Sequence, residues 1–455
     1  VAAPIVFRST DSGAPALSGT VSALLGVLNA CLICRMVFTS TNLAGSTDIV
    51  DNTNKARSQS TAANAGTWLP FQTGTPGAAT DACFLGLTSK FGRAKLSLST
   101  LGTSVVGFTV EYWNGSAWTA VTGLTDGTSG LTASGTISWT IASGWATAAL
   151  NGVTCYWIRL RYTSYAVMPI VQYCTLTGWT QVYGPTTNQC DFQHSGGTAV
   201  FYDVNDNGPG AGAAKEARFW GYETVSALAT GTGQFPGSAL SFIRKSVTAD
   251  ATARAWLVIA DDRTCIMFLS TGDAAGRYYM TVFGEFYSNL PNDPYRNIVM
   301  GSDTENTASP TSTPLSCQNA SMTTVTAGQY LDRAWTGIGA AKTMSIHIDN
   351  AKNHGSVNVG GGANMAFPNG PDGGVELGPI WIVEPNLAAT FGHIRGRLRG
   401  LMTCFQAAAN FTDGDPIAGA GAYVGKTFLV VKTVTGGSAV ACYIVVETSD
   451  TWETN

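Results

Sequence analysis

Six consecutive residues, Asp203-Val204-Asn205-Asp206-Asn207-Gly208, carry the oxygen ligands of the first half of a calcium loop. Such a loop needs a bidentate acid at its twelfth position. That position is Ala214, and Glu216 lies two residues further on. The segment also follows a strand pattern, where a calcium loop leaves a helix. A turn whose Asn and Asp side chains bond the backbone is the better reading, and no metal ligands are assigned. The stretch Gly419 to Thr427 resembles a phosphate-binding loop, but the first glycine of that motif would be residue 420, which is Ala. The following FLVVKTV reads as a strand, whereas a phosphate loop feeds a helix. Asp261-Asp262 and Glu285 could supply the two carboxylates of a glycoside hydrolase. Adjacent Asp residues between two apolar runs are more simply the polar turn of a hairpin. His194, His347, His354 and His393 are scattered, with no HExxH and no GxSxG elbow. The sequence therefore predicts no catalytic residues, no metal and no cofactor.

The stretch with a recognition role in view is Trp-rich. Trp113, Trp118, Trp139 and Trp145 could present flat faces to sugar rings or to another protein, although the core of any β-sandwich also takes up such residues.

These residues need elements to hold them. The strongest signal is Ala253 to Asp273, read as a hairpin. Trp256–Ala260 and Thr264–Ser270 are apolar runs, and Asp261, Asp262 and Arg263 connect them. The runs are too continuous for one wet face, so the hairpin is predicted to be covered on both sides. The segment SGTVSALLGVLNACLICRMVF has Val21, Leu24, Leu25, Leu28 and Leu32 at helical spacing, with Ser18 or Thr20 able to cap it. Cys31 and Cys34 on this helix are read as core packing. In KEARFWGYETVSAL, Ala217, Phe219 and Gly221 share one face of a strand; Arg218, Trp220 and Tyr222 share the other. The alternation from Tyr156 to Tyr162 is read as placing Arg159 and Arg161 on one face, with Trp157 off it. Asn114-Gly115 marks a turn between strands.

The expected fold is mainly β: a multi-domain, β-sandwich or barrel-like protein with one N-terminal helix packed on the core. Residues 1–80 and 179–300 would form a split β-rich core domain. Residues 81–178 would be an inserted, jelly-roll-like β-sandwich, since surface loops accept insertions at low cost. Residues 301–455 would form a C-terminal β-rich domain after the linker GSDTENTASPTSTP.

Only 12% of the 455 residues are charged, and Gly numbers 53. That balance suits an all-β protein with many turns and a surface partly covered by other subunits. With a net charge of −4 and no basic stripe, nucleic acid is an unsuitable partner. The longest apolar segment, 16–38, is interrupted by polar residues, so no membrane insertion is expected. Most of the ten Cys sit singly in apolar runs, and they are read as free thiols. Val1-Ala2-Ala3-Pro4 opens without the pattern of a signal peptide.

With these residues in view, the chain resembles structural proteins of tailed bacteriophages. The resemblance is carried by FRSTDSGAPALSGTVSALLGVLNACL (7–32), AGTWLPF (65–71), KEARFWGYETVSALATGTGQFP (215–236) and TADATARAWLVIADDRTCIMFL (248–269). It continues in GRLRGLMTCFQ (396–406), GKTFLVV (425–431) and ETSDTW (447–452). Separately, YWNGSAWTAVTGLTDGTSGLTASGTISWT and NGVTCYWIRLRYT resemble a β-module of phage tail and baseplate proteins. One departure is Cys34-Arg35-Met36, where relatives carry a Gly-rich turn. The resemblance implies a non-enzymatic virion component, in the tail or baseplate, assembled in the bacterial host cytoplasm. Its partners would be copies of itself in a homo-oligomer and other virion proteins, with host surface glycan as a further partner. The alternatives are a host-glycan-binding adsorption protein and a capsid decoration protein.

Overall fold

The computed structural model describes residues 4–11, 14–33, 37–41, 82–87, 90–150, 153–161, 166–167, 169–175, 179–184, 186, 188–194, 200–207, 215–236, 241–272, 278–301, 329–334, 336–337, 340–343, 345–348, 375, 377–384, 393–404, 411–433, 442–449 and 452–453. The fold is mainly β, in antiparallel sheets with one short N-terminal helix. The chain divides into two compact units, 3–27 with 185–455 and 28–184. The sequence reading has three domains, with 301–455 separate. In the structure, strands from 329 onward hydrogen-bond into the same sheet as those before 300. Asn297–Met300 pairs with Gln329–Arg333, for example. The linker 302–314, the loop 360–374 and the segment 65–71 lie outside the described residues.

The first unit is built on the predicted hairpin. Trp256–Ala260 pairs antiparallel with Thr264–Ser270, and Ile5–Arg8 and Tyr278–Glu285 flank it. Because side chains alternate across a strand, the two faces have different fates. Leu257, Ile259, Ile266, Phe268, Met280 and Val282 enter one large core. Ile382, Leu398, Leu429 and Ile444, from the later strands, fill the same core. Each such side chain withdrawn from water contributes roughly 1.5–3 kcal/mol. On the opposite face, Val258, Met267 and Phe283 are also buried. There Phe283 meets Tyr202 and Phe219, with ring centroids 5.3 and 5.0 Å apart. Those two aromatics belong to a second sheet, with strands in the order Gln189–Gln193, Phe201–Asn205, Glu216–Tyr222 and Phe242–Arg244. As the sequence predicts, Ala217 and Phe219 are buried on one face of Glu216–Tyr222, with Arg218 and Trp220 half-exposed on the other.

The hairpin turn is closed by Asp261. Its Oδ1 accepts from the backbone N–H of Arg263 and Thr264, at 2.9 and 2.7 Å. The Arg399 guanidinium, from the strand His393–Cys404, donates to Asp261 Oδ2 at 2.6 Å and to Thr264 Oγ1 at 2.6 Å. Both ion-pair partners are buried. Next to it, Gly400 has φ +67°, and a Cβ there would lie 2.2 Å from the Trp452 ring. Glycine thus lets Trp452 close over the core.

The predicted helix is present but short. Ala23–Leu28 is α-helical and Asn29–Ile33 is a π turn. Leu24, Leu25 and Val27 are buried. Cys31 is buried, as are Cys155, Cys190, Cys265 and Cys404; Cys34 to Met36 lie outside the described residues. Neither Ser18 nor Thr20 caps the helix. Their hydroxyls bond each other at 2.7 Å. The first helical amides are satisfied by Asp206, whose Oδ2 accepts from Leu24 N and Leu25 N at 2.8 and 3.2 Å. An acidic side chain that follows a distant strand thus serves donors that the helix itself leaves open.

The second unit is a β-sandwich. One sheet contains Ala82–Leu87, Val153–Arg161, Thr109–Trp113 and Trp118–Ala120 in that order; the other contains Ile170–Thr175, Arg93–Thr100, Gly135–Thr140 and Thr122–Asp126. Trp157, Arg159 and Arg161 lie on one face of Val153–Arg161, as a period of two requires, so the expectation that separated Trp157 from the arginines is corrected. Trp157 is fully buried because Gly86 stands opposite it, where a Cβ would sit 2.5 Å from its ring.

Replacing Arg399 with Leu would take the Arg399 cation away from the buried Asp261 carboxylate. A loss of about 3–5 kcal/mol is expected, read as a lowered urea midpoint for the first unit.

Candidate functional site

The four candidate tryptophans occupy two different environments. Trp139 and Trp145 are 6% and 3% exposed. Their indole N–H groups donate to Phe91 O and Trp157 O, at 3.0 and 3.2 Å. Phe91 packs against both rings, at 5.5 and 5.1 Å. These two residues belong to the sandwich core and offer no face to a ligand.

Trp113 and Trp118 are half-exposed and directly opposite one another across a tight hairpin. Asn114 builds the turn: its Oδ1 accepts from Ser116 N and Ala117 N at 2.9 and 2.8 Å, and the Trp pair follows from that register. Their rings meet edge to face at 5.5 Å, a contact worth about 0.5–1.5 kcal/mol beyond burial. The Arg159 guanidinium lies 4.7 Å over the Trp118 ring, and Glu111 holds it there through hydrogen bonds of 2.7–2.8 Å. Phe84 lies on the inner side of Trp118, at 5.3 Å. The result is a short aromatic strip with an anchored cation. Such a strip can stack on a sugar ring or on a partner's side chains.

The acidic candidates are committed to other contacts. Asp261 is held by Arg399, as described above. Glu285 is buried, with Arg263 Nη1 and Arg296 Nε at 2.9 and 3.1 Å. Burial raises the Glu285 pKa, but His194, Arg296 and Arg263 outweigh it and hold the carboxyl below its ordinary value. A general acid requires the opposite shift. Likewise, the two Asp residues of the calcium-like segment are occupied separately. Asp206 serves the helix and contacts Lys245, while Asp203 accepts from Gln189 Nε2 at 3.0 Å on each oxygen. Asn205 makes the expected side-chain turn, accepting from Asn207 N at 3.1 Å. The Gly419–Thr427 segment folds back as a short turn between paired strands, Pro416–Ala418 and Thr427–Thr433. Among the described residues, no group of three or more His, Cys, Asp and Glu is placed to hold a metal.

Sequence reasoning missed a buried carboxyl pair. Asp191 stands directly across from Asp203 in the sheet, and both are fully buried. Burial, together with the neighbouring Asp191, pushes the Asp203 pKa up to about 9, and burial raises that of Asp191 as well, so the pair titrates as a unit that favours holding a proton. Asp191 Oδ2 also accepts from Ala229 N at 3.2 Å, and Tyr222 donates to Ala229 O. A further buried carboxyl, Asp332, is raised to about 8 by burial and lies beside Asn297, which also bonds Tyr202 and His194. Only the strand register brings these groups together, and no local motif announces them.

No family model matches this chain, and no curated protein matches it.

The Asp203 carboxyl titrates near 3.9 in an unfolded chain and at about 9 here. Its stabilisation is thus complete below about pH 4 and is lost as pH rises toward 9, with Asp332 adding a decline in the same direction. Asp203→Asn, which needs no proton to donate, should flatten the fall in urea midpoint across that range.

Proposed function

We propose that this chain is a non-enzymatic structural component of a bacteriophage virion, in the tail or baseplate region, where it binds copies of itself and other virion proteins. The observation that carries this reading is a coincidence of segments. Five stretches that resemble virion proteins, 7–32, 215–236, 248–269, 396–406 and 425–431, supply the helix, the central hairpin, Arg399 and the core strands of the first unit. The resemblance therefore falls on residues that make a fold. The low charge of the chain supports the same reading, because a surface buried between subunits is depleted of charge. So does an apolar rim on the second unit, where Leu101, Val106 and Val167 are 50%, 56% and 44% exposed around the Thr103↔Val167 bridge. Closed symmetric oligomers are the usual outcome of such surfaces.

A second reading, adsorption to host-surface glycan, rests on the half-exposed Trp113–Trp118 pair with Arg159 beside it.

Mass spectrometry of washed particles should find the chain, and light scattering of the purified protein should give an oligomer. A monomer absent from particles overturns the proposal. The double variant Trp113→Ala/Trp118→Ala separates the two readings. Adsorption is unchanged if the pair serves only structure, and falls with intact particles if it binds glycan.

A further inference from the structure

Lys245 and Asp206 are both fully buried and in direct contact, Nζ to Oδ1. Lys245 follows the strand Phe242–Arg244, Asp206 follows Phe201–Asn205, and these strands flank Glu216–Tyr222 on its two sides. The contact spans 39 residues of sequence.

The surrounding hydrogen bonds do not match an ion pair. An ammonium has three N–H donors. Lys245 Nζ makes two contacts, one to Asp206 Oδ1 and one to Thr20 O at 2.6 Å, and its side chain is out of reach of water. One ammonium donor would therefore be buried without an acceptor, a costly arrangement. An amide has one N–H donor and one carbonyl oxygen. Thr20 O is placed to accept that N–H. Leu24 N and Leu25 N, at 2.8 and 3.2 Å from Asp206 Oδ2, are placed to donate to that carbonyl.

We propose that Lys245 and Asp206 condense to an intramolecular amide between Nζ and Cγ. The reaction begins from the neutral pair, after the shared proton has moved from Nζ to Oδ1. The Nζ lone pair attacks Cγ and the Nζ–Cγ bond forms. Negative charge develops on Oδ2, where the two backbone N–H groups meet it, as donors to a tetrahedral intermediate do. A proton passes from Nζ to the departing oxygen, the Cγ–Oδ1 bond breaks, and one water leaves. No oxidant or co-reactant is consumed. Burial favours the neutral reactants: it pulls the Lys245 pKa down and pushes the Asp206 pKa up, against their mutual attraction. A desolvated lysine is an activated nucleophile, and the packed strands hold it on its electrophile, replacing a bimolecular encounter.

The test is the intact mass of the full chain, purified as a folded species and measured after denaturation. The wild-type chain should be lighter than its sequence by one water, and digestion should yield a branched peptide joining Asp206 to Lys245. Lys245→Met should restore the full sequence mass. Asp206→Asn should instead lose one ammonia, a signature that a purely structural ion pair does not produce. A wild-type chain at full sequence mass, with Asp206 and Lys245 in separate linear peptides, overturns the proposal. This wild-type result decides the matter even where a variant fails to fold.

Discussion

The constraint on which the first unit depends is a charge that cannot be left alone. Asp261 sits in a hairpin turn with no exposed surface, and Arg399 reaches it there from a strand late in the chain. That one pair fixes the turn, through Arg263 N and Thr264 N, and fixes the late strand against it, through Thr264 Oγ1. A hydrophobic replacement of both partners could be equally stable. It would not specify which strand meets which turn. The pair acts as a registration mark between two parts of the chain that local sequence could not align.

The same logic repeats across the unit. Arg395 meets Glu384 and Asp293, each at 2.8 Å, and Glu285 meets two arginines. A chain with few charges has thus placed many of them inside. The low share of charge in the chain as a whole is the property that the proposed assembly role uses.

Much of the fold was legible because its signals are local. The apolar runs on either side of Asp261-Asp262-Arg263, the alternation in Glu216–Tyr222 and the Asn114-Gly115 turn each depend on neighbours in sequence. What could not be read depends on register. The Asp191–Asp203 pair exists because two strands align residue for residue, and the helix cap is Asp206 because tertiary packing delivers it in place of Ser18 or Thr20. The tryptophans divide for the same reason. Composition alone cannot tell the sandwich interior, which takes Trp139 and Trp145, from the hairpin end, which leaves Trp113 and Trp118 half-exposed. The misplacement of Trp157 was of another kind. The period of two already put it beside Arg159, but its burial depends on Gly86 across the strand.

The closure of Trp452 over Gly400 bears on how the protein is made. The strand Ile5–Arg8 pairs with Trp256–Ala260, and the core that these strands line includes Trp452. Ile5–Arg8 is therefore synthesised well before the partners it packs with, and residues 28–184 emerge in between. During that wait the hairpin's apolar face and its unpaired strand edges are open to other chains. Contacts of such long sequence separation also form slowly. Until Trp452 has been made, the chain must be kept apart from other chains by means outside its own fold.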